Sequence, residues 1–230
     1  MIHVLHIGKT GGTAIKSALE AYPDAFKLHG HSVRLRDCPP GELVFFALRH
    51  PIDRFVSSFN SRLRKGLPRY FFDWTAGEAA AFRRFPTANE LAESLSSLNL
   101  LRRHRAQRAM HNIRHVKRGL DYWLGSTDYL ISRRSDVVIG NTATLQSDFN
   151  RLLRLAGLEP VNLPSDPVVI HKTPESMDRH LSDAARRNLR EWYATDIALY
   201  DSALALRRGR IAEMERSEAV GFTPLVADGP

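Results

Sequence analysis

Residues 6–19 read His6-Ile-Gly-Lys-Thr-Gly-Gly-Thr-Ala-Ile-Lys-Ser-Ala-Leu19, or HIGKTGGTAIKSAL. An apolar run precedes this stretch and a helical pattern follows it. Glycines, a lysine and threonines lie between the two. A strand that ends in a glycine-rich turn and opens a helix makes an anion site by geometry, because free backbone N–H groups and the positive helix end converge there. Gly8, Gly11 and Gly12 let the backbone come close to an anion. Lys9 adds a charge, and Thr10 and Thr13 add hydroxyl donors. The loop lacks the early glycine of the G-x-x-x-x-G-K pattern that wraps a triphosphate, since His3 stands at that position. It is therefore suited to a single phosphate rather than to a chain of three.

Outward from this loop the periodicity is that of an α/β chain. Residues 2–7 read as a buried strand, followed by a helix from about Thr13 with Ile15, Ala18, Leu19 and Tyr22 on one face and a stop at Pro23-Asp24. A short strand is expected over 25–29 and a turn over 37–41. Residues 43–48 (LVFFAL) are apolar at every position, as in a strand covered on both faces. Pro51 opens a helix carrying Phe55, Phe59 and Leu63. Residues 136–140 read as another strand, and 142–156 as a helix with Leu145, Phe149, Leu152 and Leu153 inward and Gly157 as its stop. A long last helix is expected over 183–206, capped by Ser182, with Leu189, Trp192, Tyr193, Ile197 and Tyr200 on a stripe. Such alternation implies a P-loop-like parallel sheet with helices on both faces. The expected organisation is one domain over 1–210, with a basic helical insertion at 64–124 and a tail at 211–230.

Composition bounds the function. The chain has 230 residues, enough for one substantial core, and 43% hydrophobic content, ordinary for a globular protein. Its single cysteine, Cys38, rules out a disulfide framework and a Cys-rich metal site and is given no role. A net charge of +8 favours anionic partners without choosing among them. No apolar run is long enough to span a bilayer, and a cytoplasmic, bacterial setting is expected. No helix-turn-helix, zinc or aromatic RNA-binding pattern points to specific nucleic-acid recognition. No acidic pair on a later strand is placed to hold magnesium, which disfavours a kinase using the same loop. A noncatalytic anion-binding or nucleic-acid-binding protein is the alternative from another class.

A second segment, Leu48-Arg-His-Pro-Ile-Asp-Arg-Phe-Val-Ser-Ser-Phe59, puts Arg49 just past the apolar strand, where open α/β sheets bind ligands. Ser57 shares a ligand with Arg49 only if the chain turns sharply at Pro51. Together, Gly8-Lys9-Thr10-Gly11-Gly12-Thr13 and Arg49-His-Pro51-Ile-Asp-Arg54-Phe-Val-Ser57 resemble the two nucleotide-binding motifs of sulfotransferases that use 3′-phosphoadenosine 5′-phosphosulfate (PAPS). The likeness is to the carbohydrate branch that includes the heparan sulfate 2-O-sulfotransferases, with Gly8 where that family usually has proline. The stretches 137–140 and 181–200 are similar to its C-terminal half.

The resemblance implies that the first loop holds the 5′-phosphosulfate and that Arg49 and Ser57 hold the 3′-phosphate. Sulfuryl transfer from PAPS would leave 3′-phosphoadenosine 5′-phosphate (PAP), with Lys9 offsetting charge on the leaving phosphate and no metal required. The acceptor is expected to be a hydroxyl, on a glycan or other small molecule, itself anionic in one version of the reading. For the base, His29-Gly-His31 follows the second strand, as a His-x-His pair does in the 2-O enzymes, with His31 the first choice and His29 the second. Lys172, in His171-Lys172-Thr173, is expected to reach a phosphate. Arg102, Arg103, Arg105, Arg108, Arg114, Lys117 and Arg118 are read collectively as a wall facing an anionic acceptor.

Overall fold

The computed structural model describes residues 1–170 and 173–219. Four parallel strands form one sheet: β1 (Ile2–Val4), β2 (Phe26–Leu28), β3 (Val44–Leu48) and β4 (Val137–Asn141), in the spatial order β2-β1-β3-β4. Ile2 pairs with Phe26 on one side of β1, and His3 pairs with Val44 on the other. β3 pairs with β4 along its whole length, from Val44↔Val137 to Leu48↔Asn141. All five residues of β3 are buried, which explains its unbroken apolar sequence.

Helices cover both faces. On one, α1 (Gly12–Leu19) and α8 (Leu145–Leu155) bring Ile15, Leu19, Phe149, Leu152 and Leu153 against Val4, Phe45 and Val138. On the other, α6 (Asp121–Leu124), α7 (Thr127–Ser132) and α10 (Ala194–Ala219) pack Trp123, Leu130 and Leu199 against Leu5, Phe46 and Ile139. α2 (Pro51–Leu63) leaves the sheet and builds a separate helical core with α3 (Ala76–Arg84), α4 (Ala88–Glu93), α5 (Leu100–Asn112) and α9 (Asp183–Trp192). The α/β architecture read from the sequence is thus present. No helix among the described residues is long and apolar enough to cross a membrane.

Two local signals act as expected. Pro51 occupies the start of α2, where a missing N–H costs nothing, and the ring of His50 accepts from Ile52 N at 3.3 Å. Ser182 caps α9 by accepting from Ala185 N at 3.2 Å. The last expected helix is instead two, interrupted at Tyr193 (φ −101°, ψ 23°), and its second half runs to Ala219, beyond Leu206 and into the stretch read as tail. Tyr193 is itself buried in the helical core, against Phe55.

Candidate functional site

The chain leaves β1 toward β2 on one side and later returns to β3 on the other. The crevice between the carboxyl ends of β1 and β3 is therefore the point where the winding reverses, the usual ligand position of open α/β sheets. The glycine loop follows β1 and Arg49 follows β3, so the two motifs stand on adjacent strands. The turn carrying His29 and His31 follows β2, on the other flank of β1.

Inside the loop, Lys9 holds a left-handed backbone at φ 69°, uncommon for a residue with a Cβ and a conformation that concentrates at functional sites. Gly11 has φ 86°, and a Cβ there would also meet Leu145 Cδ2 at 2.6 Å. At Gly12 a Cβ would meet the His6 ring at 2.3 Å, so the missing side chain gives that imidazole its place. Among the described residues no acceptor is seen for the N–H groups of Gly11, Gly12 and Thr13, which point out of the first turn of α1 as an anion site requires. Thr10 departs from expectation. Its hydroxyl donates to Ile7 O at 2.9 Å, so its one proton is committed within the loop and it is no hydroxyl donor for a ligand.

The cations around the loop outnumber its anions. Loss of hydration, then the charges of Arg64 and Arg49, bring Lys9 down to about 7. Loss of hydration also lowers Arg49, with Asp53 opposing and Arg179 reinforcing. Arg64 stands at the end of α2. It donates through one terminal nitrogen to Leu67 O, while its Nε and Nη2 are buried without partners. Such unpartnered donors beside a lysine await an acceptor. Ser57 is buried on α2. Lys172, expected to add a further phosphate contact, lies outside the described residues.

Arg54, the second arginine of the Arg49 motif, is an internal clamp. It is buried, donates from Nε to Gly8 O at 3.1 Å and from Nη2 to Arg118 O, and lies 5.2 Å from the Trp123 ring centroid. It ties the glycine loop to the 113–120 segment, through which the helical insertion returns to the sheet. That segment brings Arg118 and His115 to the loop. Of the basic residues of the middle, Arg118 is the one whose charge bears on His31; Arg102 is turned away, bonded to Ser94 Oγ at 2.8 Å.

The two histidines of the 29–31 turn part company. His31 lies over His6, ring centroids 3.9 Å apart, and its Nδ1 is 3.1 Å from His6 O. A carbonyl only accepts, so Nδ1 carries the hydrogen and Nε2 keeps a lone pair. Trp123 Nε1 donates to His31 O at 2.9 Å and fixes the turn. The surroundings hold His31 below the usual imidazole range, chiefly by loss of hydration, against a bond to His6 O that raises it. The His29 ring instead bonds His3, Nε2 to Nδ1 at 2.9 Å. One nitrogen of His29 is thus engaged by His3.

Sequence reasoning missed His115. Burial, then the charges of Lys9 and His31, push it down to about 3, as burial and His31 push His6 down to about 3. The charge of Lys9 bears on all three imidazoles, His6, His31 and His115, each held below its usual range. Arg64 and Arg179 were missed as well. Only contacts formed across the fold distinguish these residues from ordinary surface histidines and arginines.

Comparison with curated proteins and with solved structures gives no match. A family model described as the sulfotransferase family matches residues 2–202, taking in the loop, the Arg49 segment, the helical insertion and all four strands. On that match the chain belongs to the sulfotransferase family.

Proposed function

We propose that this protein transfers a sulfuryl group from PAPS to a hydroxyl of a carbohydrate acceptor, without a metal in the chemical step. The turn at Lys9 to Thr13 would receive the 5′-phosphosulfate on its N–H groups, and Arg49, with Arg179 near it, would receive the 3′-phosphate together with Ser57. In the reaction the acceptor oxygen forms a bond to sulfur while the bond from sulfur to the 5′-phosphate oxygen breaks. The acceptor proton passes to Nε2 of His31, and PAP leaves with its new charge opposed by Lys9.

The observation that carries this reading is the His31–His6 bond. It supplies a neutral imidazole of defined tautomer in the same cluster as the anion-binding lysine. The surplus of Lys9, Arg49, Arg64 and Arg179 over Asp53 supports a polyanionic donor. Arg118, placed beside His31, suits an acceptor that is itself acidic or partly sulfated. The heparan sulfate 2-O-type branch fits the His29-Gly-His31 pattern, with His31 in the base position.

The test is transfer of labelled sulfate from PAPS to a panel of glycans and simple alcohols, with and without magnesium. Magnesium-independent labelling of a glycan hydroxyl is expected. Phosphate transfer from ATP in place of sulfate transfer would overturn the proposal.

A further inference from the structure

Away from the phosphate loop, on the face of the sheet that carries α6, α7 and α10, three side chains with metal-binding atoms meet. His3 comes from β1, His29 from the end of β2, and Cys38 follows a single 3₁₀ turn at Leu35–Asp37. Their ligand atoms all lie within 4.8 Å of one another, and His3 and Cys38 are buried. We propose that His3, His29 and Cys38 form a binding site for a divalent ion of the zinc type, with Glu42 as the carboxylate behind His3.

The chemistry of the set is specific. Glu42 Oε2 lies 2.6 Å from Nε2 of His3, and a carboxylate there fixes the hydrogen on Nε2 and turns the lone pair of Nδ1 toward His29 and Cys38. A carboxylate behind a ligating imidazole is the arrangement that orients histidine on zinc. Two imidazoles and one thiolate suit zinc by softness, and with His29 half-buried the fourth ligand would be water.

Tetrahedral bonds of about 2.0–2.1 Å to nitrogen and about 2.3 Å to sulfur separate nitrogens by about 3.3 Å and nitrogen from sulfur by about 3.6 Å. The 2.9 Å between His3 Nδ1 and His29 Nε2 has to open slightly, and the thiol, within 4.8 Å of both nitrogens, has to close by up to about 1.2 Å to reach that separation. Without an ion, Cys38 Sγ has a weak 3.9 Å contact to Arg34 O, and burial keeps the thiol protonated. On binding, that proton goes to solvent and the hydrogen of His29 moves to its Nδ1. The ion would pin the edge strand β2 to β1 and, through two residues of turn, hold His31 at the loop. The site stands independently of donor and acceptor.

Cobalt(II) replaces zinc at such sites and reports the ligands optically. The full chain, stripped with chelator and titrated with cobalt(II), is expected to show tetrahedral visible bands and a thiolate-to-cobalt charge-transfer band, both displaced by zinc. The chain has one cysteine, so that band has one possible source. Cys38→Ser should abolish it, His29→Asn should weaken binding by more than tenfold, and Glu42→Gln should weaken it by about 10- to 100-fold while keeping the bands. Should Cys38→Ser fail to fold by circular dichroism, His29→Asn and Glu42→Gln carry the test. No charge-transfer band in the intact chain, bands unchanged in Cys38→Ser, or undiminished affinity in folded His29→Asn would overturn the proposal.

Discussion

The carbonyl oxygen of His6 stands 3.1 Å from Nδ1 of His31, and this one bond leaves Nε2 as the basic nitrogen. A residue of the glycine turn thereby sets the tautomer of a residue on the neighbouring turn. His31→Ala is expected to leave nucleotide affinity within about twofold while lowering transfer by about 10²–10⁴, the usual worth of a general base. Binding and single-turnover transfer measured on the same preparation check this. Unchanged transfer would remove His31 from the chemistry.

At Gly12 the crowding comes from a neighbouring ring and not from its own backbone. An added methyl would fall 2.3 Å from Cδ2 of His6, whose ring packs at a tilt against His31. Gly12→Ala is expected to fold with near-normal stability yet lose transfer more than it loses nucleotide affinity. Loss of binding alone, with the rate of bound substrate intact, would mean that the His6–His31 ring contact is not needed.

Lys9 gives the site a pH signature. It is held near 7 by loss of hydration and by Arg64 and Arg49. A bound phosphosulfate or bisphosphate brings opposite charge and raises that value. Between the two values the complex holds a proton that the free protein lacks, so binding takes up a proton. Affinity is therefore greatest below about pH 7 and falls above it by up to about tenfold per unit until the raised value is passed. Calorimetry about one unit above that point, in two buffers of different ionisation enthalpy, should show the uptake. Equal heats in both buffers would contradict the placement of Lys9.

Stability has its own pH dependence in the helical core. Arg62 and Glu78 are fully buried partners, joined at 2.7 and 2.8 Å. Burial alone would raise the Glu78 carboxyl, but Arg62, with the N–H groups of Thr75 and Arg114, holds it at about 2. A depressed carboxylate contributes stability that is complete above about pH 4.5 and disappears as pH falls through about 2. Glu78→Gln is expected to cost about 3–5 kcal/mol near neutral pH, because it leaves the buried Arg62 without its counter-charge. Denaturant midpoints across this range test both statements, and a variant with native stability would refute them.

How much was legible follows from the range of each interaction. The glycine loop, β3 and the start of α2 were readable because glycine, an apolar run and a proline act on their own neighbourhood. Arg49 was readable because it directly follows a strand. The fates of His29 and His31 were not, since two residues apart on one turn they point to different partners, His3 and His6. His115 and Arg118 reach the loop only through the return of the helical insertion, held by the Arg54 contacts to Gly8 and Arg118. The use of the Thr10 hydroxyl depends on the position of the Ile7 carbonyl, which residue type does not reveal. The break at Tyr193 was hidden for a similar reason, as its flanking helices carry one continuous apolar stripe.

The most direct test of the central claim is calorimetric binding of PAP compared with ADP and ATP, with and without magnesium, on the intact chain and on Arg49→Ala. The account predicts magnesium-independent preference for PAP. Arg49→Ala should reduce PAP affinity by about 10- to 100-fold, the worth of a hydrogen bond to a charged group, and leave ADP nearly unchanged. Preference for ATP with magnesium, or equal loss for PAP and ADP in Arg49→Ala, would contradict it.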